Sequence, residues 1–364
     1  MRDGSRMSSI GQGFLVMRRY LSAMALAVVI ATLNSGCFKM AVPEDRALPV
    51  ILWPDPPEIP RISFVNSLSR QEDMGIVDGP VKSFWRFLAG HAETPLSNPH
   101  GVAVDVEGRL YVVDHFLKKI HVFDPKEKRY FLFPEQGPAF VSPIDIAIDD
   151  KHGRIYVSDS AEAVVRVFNK SDRKPVGEIR SGGLGRPTGI AVNPLTDELL
   201  VVDTLNAGIL RYALDDNRLK KVVGAEGSDK GRFHSPTHIA VAPDGRILVT
   251  DSLNFRVQIL DPQGGFVGSF GAAGDSPGRF SRPKGVAADS DGNIYVVDAL
   301  FSNVQVFDRE GRLLMAFGKT GNAYGEFWLP TGIAIDSRDH IYVSDSYNKR
   351  VQVFQYLKDG ELPQ

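Results

Sequence analysis

From residue 98 to the C-terminus the chain repeats one unit six times. Its clearest column is a Pro that opens a short apolar run, at Pro99, Pro143, Pro187, Pro236, Pro283 and Pro330, with intervals of 44, 44, 49, 47 and 47 residues. A second column is an Asp that closes the next apolar run, at Asp114, Asp159, Asp203, Asp251, Asp298 and Asp345. Two independent columns in one register constrain the fold strongly, because a repeat of this length is a supersecondary unit that buries its apolar face only against its neighbours.

Within each unit the turn signals fall between strand-like runs. Asp244-Gly245 and Asp291-Gly292 are hairpin turns flanked by β-branched residues. After the Asp comes an alternating run, as in Val257-Gln258-Ile259-Leu260 and Val351-Gln352-Val353-Phe354. A fourth run follows, such as Phe266-Val267-Gly268-Ser269-Phe270. Four antiparallel strands per period predict an all-β, six-bladed β-propeller, with blades starting near residues 98, 142, 186, 235, 282 and 329. The sixth unit ends its third run near Tyr356 and lacks a fourth, whereas Phe64-Val65-Asn66-Ser67-Leu68 has the missing pattern. A strand at 61–68 is therefore expected to complete the last blade, making 61–364 one domain. Three linkers share Gly224, Gly227, Gly231 and Phe233 and their equivalents one and two units later; the Phe is expected to pack the loop onto its blade.

The N-terminal part reads differently. Arg18 and Arg19 precede an uncharged run of 13 residues at 21–33, then Asn34-Ser35-Gly36-Cys37. Basic, apolar and small segments in that order make 1–36 an export signal, and the run is short for a bilayer span; Met1, Met7 or Met17 would each serve as its start. Leu33-Asn34-Ser35-Gly36-Cys37 resembles a bacterial lipobox, departing from it at Asn34, and the resemblance implies a lipid on Cys37. With Phe38 in place of Asp after the Cys, it further implies the outer membrane, facing the periplasm. Six prolines between Pro43 and Pro60 predict a semi-rigid tether over 37–60. Pro80 and Gly90 frame an amphipathic segment containing Phe84, Trp85, Phe87 and Leu88, read as a short helical insertion whose apolar side suits a membrane interface but is expected first to cap the propeller.

Pro330-Thr331-Gly332-Ile333-Ala334, Ile341-Tyr342-Val343-Ser344-Asp345 and Asn348-Lys349-Arg350-Val351 resemble the NHL repeat, and the whole plan resembles bacterial six-bladed NHL lipoproteins. The resemblance implies that Arg256 pairs with Asp251 and Arg350 with Asp345 as structural clamps. The Arg position is Lys119, Val164, Gly208 and Asn303 in the other blades, so the later blades stand nearer the pattern.

Candidate site residues come from columns that reach the mouth of the central channel. Two places after the Pro stand Gly101, Asp145, Gly189, His238, Gly285 and Gly332, so that Asp145 and His238 would turn side chains toward the axis. His100 and Lys284 lie one place after the Pro, and His115 follows the blade Asp. His100, His238 and Asp145 are candidate ligands for a divalent metal in the channel, the one cofactor these residues leave open; otherwise no cofactor is expected. Lys118, Lys119, Arg186, Arg282 and Lys284 would give the same face a basic patch.

With 42 Lys+Arg against 44 Asp+Glu, the chain lacks the basic excess of a general nucleic-acid binder, and none is expected as partner. The one Gly-x-Ser-x-Gly string, Gly274-Asp275-Ser276-Pro277-Gly278, falls in a glycine-rich linker that opens another strand and not a helix, so it is not read as a nucleophile motif. The expected function is binding or scaffolding of an envelope or periplasmic protein through one propeller face, with membrane contact through the N-terminal lipid. The alternative is a channel-site enzyme similar to peptidyl-hydroxyglycine lyase or gluconolactonase propellers.

Overall fold

The structure is a computed structural model describing residues 48–55, 57–76, 95–135, 140–181 and 183–358. The export signal, Cys37, the first part of the tether and the segment 80–90 lie outside the described residues. Six antiparallel sheets form the blades of a propeller. Blade 4 is typical: its strands Pro236–Val241, Ile247–Asp251, Arg256–Leu260 and Phe266–Phe270 run in sequence from the axis outward. Blades 1, 2, 3 and 5 open with Pro99–Val104, Pro143–Asp149, Pro187–Asn193 and Pro283–Ala288. Each of these inner strands touches those of its two neighbours, and the inner strand of blade 6, Ile333–Ile335, touches that of blade 1.

The burial pattern explains the two kinds of apolar run. Second strands such as Ile294–Asp298 are buried at every position, because sheets cover both faces, so their sequence is continuously apolar. Outer strands such as Leu313–Phe317 alternate, with one face in water. Six apolar clusters fill the six spaces between adjacent blades; the one between blades 6 and 1 holds Leu68, Val102, Leu110, Tyr342 and Val351.

In blade 6, Ile62–Leu68 pairs antiparallel with Arg350–Tyr356 and occupies the outer position. A fifth strand, Leu52–Trp53, pairs with Ser63 and Ile62 inside the segment expected to be a tether. The reason is apolar: the Trp53 ring lies 5.7 Å from those of Phe317 and Phe354, and that contact outweighs the extended bias of the prolines around it.

The blade Asp is a buried hub. Asp251 accepts hydrogen bonds from the His234 amide, the Asn254 amide side chain, Arg256 Nε and Gln258 Nε2. Asp345 does the same with Trp328, Asn348, Arg350 and Gln352. Arg256 and Arg350 meet their aspartates at 2.8 Å and also donate to linker carbonyls, holding the glycine-rich loop to its blade. Phe233, Phe280 and Phe327 are fully buried, each against the Gly nine residues earlier.

A second set of bonds stitches blade to blade. The residue after the Asp bonds the Pro carbonyl of the next blade: Ser160 to Pro187, Thr204 to Pro236, Ser252 to Pro283 and Ser346 to Pro99. His115 does so to Pro143 through Nδ1, at 3.0 Å, whereas Ala299 has no side-chain donor. The inner strands come so close that a Cβ on Gly332 would lie 2.2 Å from the His100 carbonyl oxygen, which is why this column is mostly glycine.

Candidate functional site

The inner strands and the loops after the second strands converge on one face, where a cavity of about 450 Å³ opens around the axis. Its lining includes His100, Arg186, His238, Arg282 and Lys284, among hydroxyl groups such as those of Thr188, Thr237 and Ser281. Five candidates from four different blades thus come together. Most inner strands shift register just after the Pro, and that irregularity turns the side chains there toward the channel.

The electrostatics are one-sided. Among the described residues no Asp or Glu lines the cavity, and Arg186, Arg282 and Lys284 form no ion pair. Burial, together with the neighbouring Arg282 and Arg186, lowers the Lys284 ammonium to about 8. Burial likewise depresses His100 to about 3, aided by His115 and Lys284, and holds His238 well below the usual imidazole range. Both imidazoles are therefore neutral at pH 7. His238 Nδ1 lies 3.1 Å from the Thr237 hydroxyl, while His100 Nδ1 is buried and finds no hydrogen-bond partner among the described residues. A recess of like charge with neutral hydrogen-bonding walls concentrates anions.

A family model for the NHL repeat matches residues 233–260, 280–307 and 327–354, in blades 4, 5 and 6. Blades 4, 5 and 6 are NHL repeats. A curated relative, the rat peptidylglycine alpha-amidating monooxygenase, is 28% identical over 134 residues, or 32% of this chain and 14% of the relative's length. A solved Bacteroides thetaiotaomicron protein of unknown function superposes with a TM-score of 0.60 at 18% identity, covering 81% of this chain and 75% of that one. An auxiliary nutrient binding protein from the same species gives 0.57 at 13%, covering 72% and 69%. At these identities the solved structures speak for the fold.

The remaining candidates sit elsewhere on the propeller. Asp145 does not line the cavity: its two oxygens accept the amides of Ile146 and, across the blade boundary, Ile190, at 2.9 and 3.1 Å. Burial raises its carboxyl to about 7. Lys119 takes the clamp position of blade 1 and donates to the Pro134 carbonyl at the rim, and Lys118 is exposed beside it in a left-handed turn. The proposed metal ligands are thus divided, with His100 and His238 at the cavity and Asp145 committed to two amides. Among the described residues, Asp105, Glu107 and Asp150 form the one group of three ligand atoms within 4.8 Å of one another, and the Lys170 ammonium bonds or pairs with all three.

Sequence reasoning read the column after the Asp as channel chemistry and missed its role as stitching. A signal was available: four hydroxyl residues among six positions is more than a channel lining requires.

Proposed function

We propose that the protein is a binding module of the cell envelope, exported by its N-terminal segment and anchored through a lipid on Cys37. Its channel face engages an acidic partner protein. The observation that carries this reading is the cavity lined by three cations without ion pairs. A group that presents carboxylates would give each cation the partner it lacks among the described residues. Crosslinking in intact cells through a photoreactive residue at Arg186 tests it: one envelope protein should be captured, and Arg282→Glu with Lys284→Glu should abolish capture. Capture unchanged in the double variant would refute the reading.

One observation favours an enzyme instead: His100 and His238 are neutral imidazoles at a single cavity, the protonation state a metal ligand needs. A stoichiometric divalent ion in protein purified without chelators, lost in His238→Ala, would establish that alternative.

A further inference from the structure

Around the cationic recess runs a second column that the binding reading leaves unused. Two places after each blade Asp stand Phe116, Ala161, Leu205, Leu253, Leu300 and Tyr347. The five large members are 74, 69, 54, 53 and 58% exposed in chain order. Scattered exposed apolar residues need no explanation, but these share one loop position and one face in five of six blades. Leu253 lines the cationic recess itself. Phe116 and Tyr347 wall a second cavity, of about 480 Å³, between blades 1 and 6, together with His115 and Lys349. Trp328, 52% exposed, lies 5.8 Å from Tyr347 and extends that wall. His100 belongs to the first cavity and His115 to the second, and their rings are 5.4 Å apart, so the two cavities adjoin.

We propose that this face seats an extended acidic polypeptide segment, with a Glu or Asp carboxylate among Arg186, Arg282 and Lys284 and an apolar side chain against Phe116 and Tyr347. The inference rests on the binding reading above and specifies its ligand. In an extended chain, side chains on one face recur about every 7 Å, a spacing suited to two adjoining cavities. A small free anion would leave the aromatic wall unused. A flat anionic bilayer would meet a ring without its apolar member at blade 2, where Ala161 is followed by Glu162, and could not enter the recess.

The test is fluorescence polarisation of the full chain against an array of labelled peptides carrying Glu two or four residues before Phe or Leu. Each has a Glu→Gln and a Phe→Ser or Leu→Ser counterpart. The acidic apolar peptides should bind about tenfold more tightly than either counterpart, the loss expected for one apolar side chain or one charge-assisted contact. Phe116→Ser and Tyr347→Ser should erase the preference for Phe or Leu and keep that for Glu, while Arg282→Glu should do the reverse. Equal binding of the Gln peptides overturns the proposal, as does no binding by any array member. So does sedimentation with phosphatidylglycerol vesicles that Leu205→Ser or Leu300→Ser releases. If peptides fail while the Arg186 crosslink persists, the peptide ligand falls and the binding face stands; if both fail, so does the binding face.

Discussion

Gly332 occupies the seam where the last blade meets the first, and a methyl group there is a sharp test of ring closure. The Cβ of Gly332→Ala would lie 2.2 Å from the His100 carbonyl oxygen and 3.3 Å from the Gly101 Cα, all backbone atoms that no rotamer change can move. Relief requires the inner strands of blades 6 and 1 to part by about 1 Å, an overpacking cost of about 1–3 kcal/mol. Replacing Gly by Ala in a strand otherwise gains roughly 0.5–1 kcal/mol from the unfolded chain. Gly268→Ala supplies the control, because its Cβ would meet nothing within 4 Å. With an unfolding entropy of about 2.1 cal/mol/K per residue, a ring of this size shifts its Tm by roughly 1.5 °C per kcal/mol. Net of that gain Gly332→Ala costs up to about 2.5 kcal/mol and should lower the Tm by up to about 4 °C in scanning calorimetry, whereas Gly268→Ala should raise it by about 1 °C. A Gly332→Ala protein that melts at or above the wild-type temperature, beside a normal control, would refute the close approach at the seam.

Three further outcomes are expected. Phe327→Ala removes a fully buried ring from the contact between its linker and blades 5 and 6 and should cost about 3–5 kcal/mol, read by urea unfolding. The folded Asp145 carboxyl, raised to about 7, holds a proton that the unfolded chain releases near its ordinary value of 3.8, so the contribution of this group to stability is greatest below about pH 4 and is lost as pH rises between those values. Asp145→Asn should flatten that slope in urea titrations between pH 4 and 8. Because the Lys284 ammonium titrates near 8, affinity for an acidic peptide should fall from pH 7 to pH 9, and Lys284→Arg should keep it level.

The blades were legible because the Pro and Asp columns mark two physically distinct events in every unit, the start of an inner strand and the hub that fixes the loops around it. The positions of Arg186, His238 and Lys284 followed from the same register, since a propeller carries equivalent positions to equivalent places. Asp145 failed that reasoning, because an unpaired amide on the neighbouring blade captured its carboxylate. Position within a repeat gives the height of a side chain above the blade but says nothing of partners supplied by the next blade. Lys119 turned to the rim for a similar reason, drawn by the Pro134 carbonyl. The apolar ring was present in the sequence as a column two places after each Asp, but apolar side chains there carry no mark that separates an exposed ring from an ordinary loop.

The short strand Leu52–Trp53 determines how the ring would answer a mechanical load on the preceding chain. It runs antiparallel to Ile62–Leu68 and joins it through two bonds, from the Arg61 amide to the Trp53 carbonyl and from the Phe64 amide to the Ile51 carbonyl. Tension applied ahead of Leu52 first peels this pair, one residue at a time, and pulls Trp53 from between Phe317 and Phe354. Only when that slack is spent does force reach the seven residues that complete blade 6. The ring thus carries a sacrificial fold at its N-terminal entry, which can yield several residues of length before the circle is put at risk.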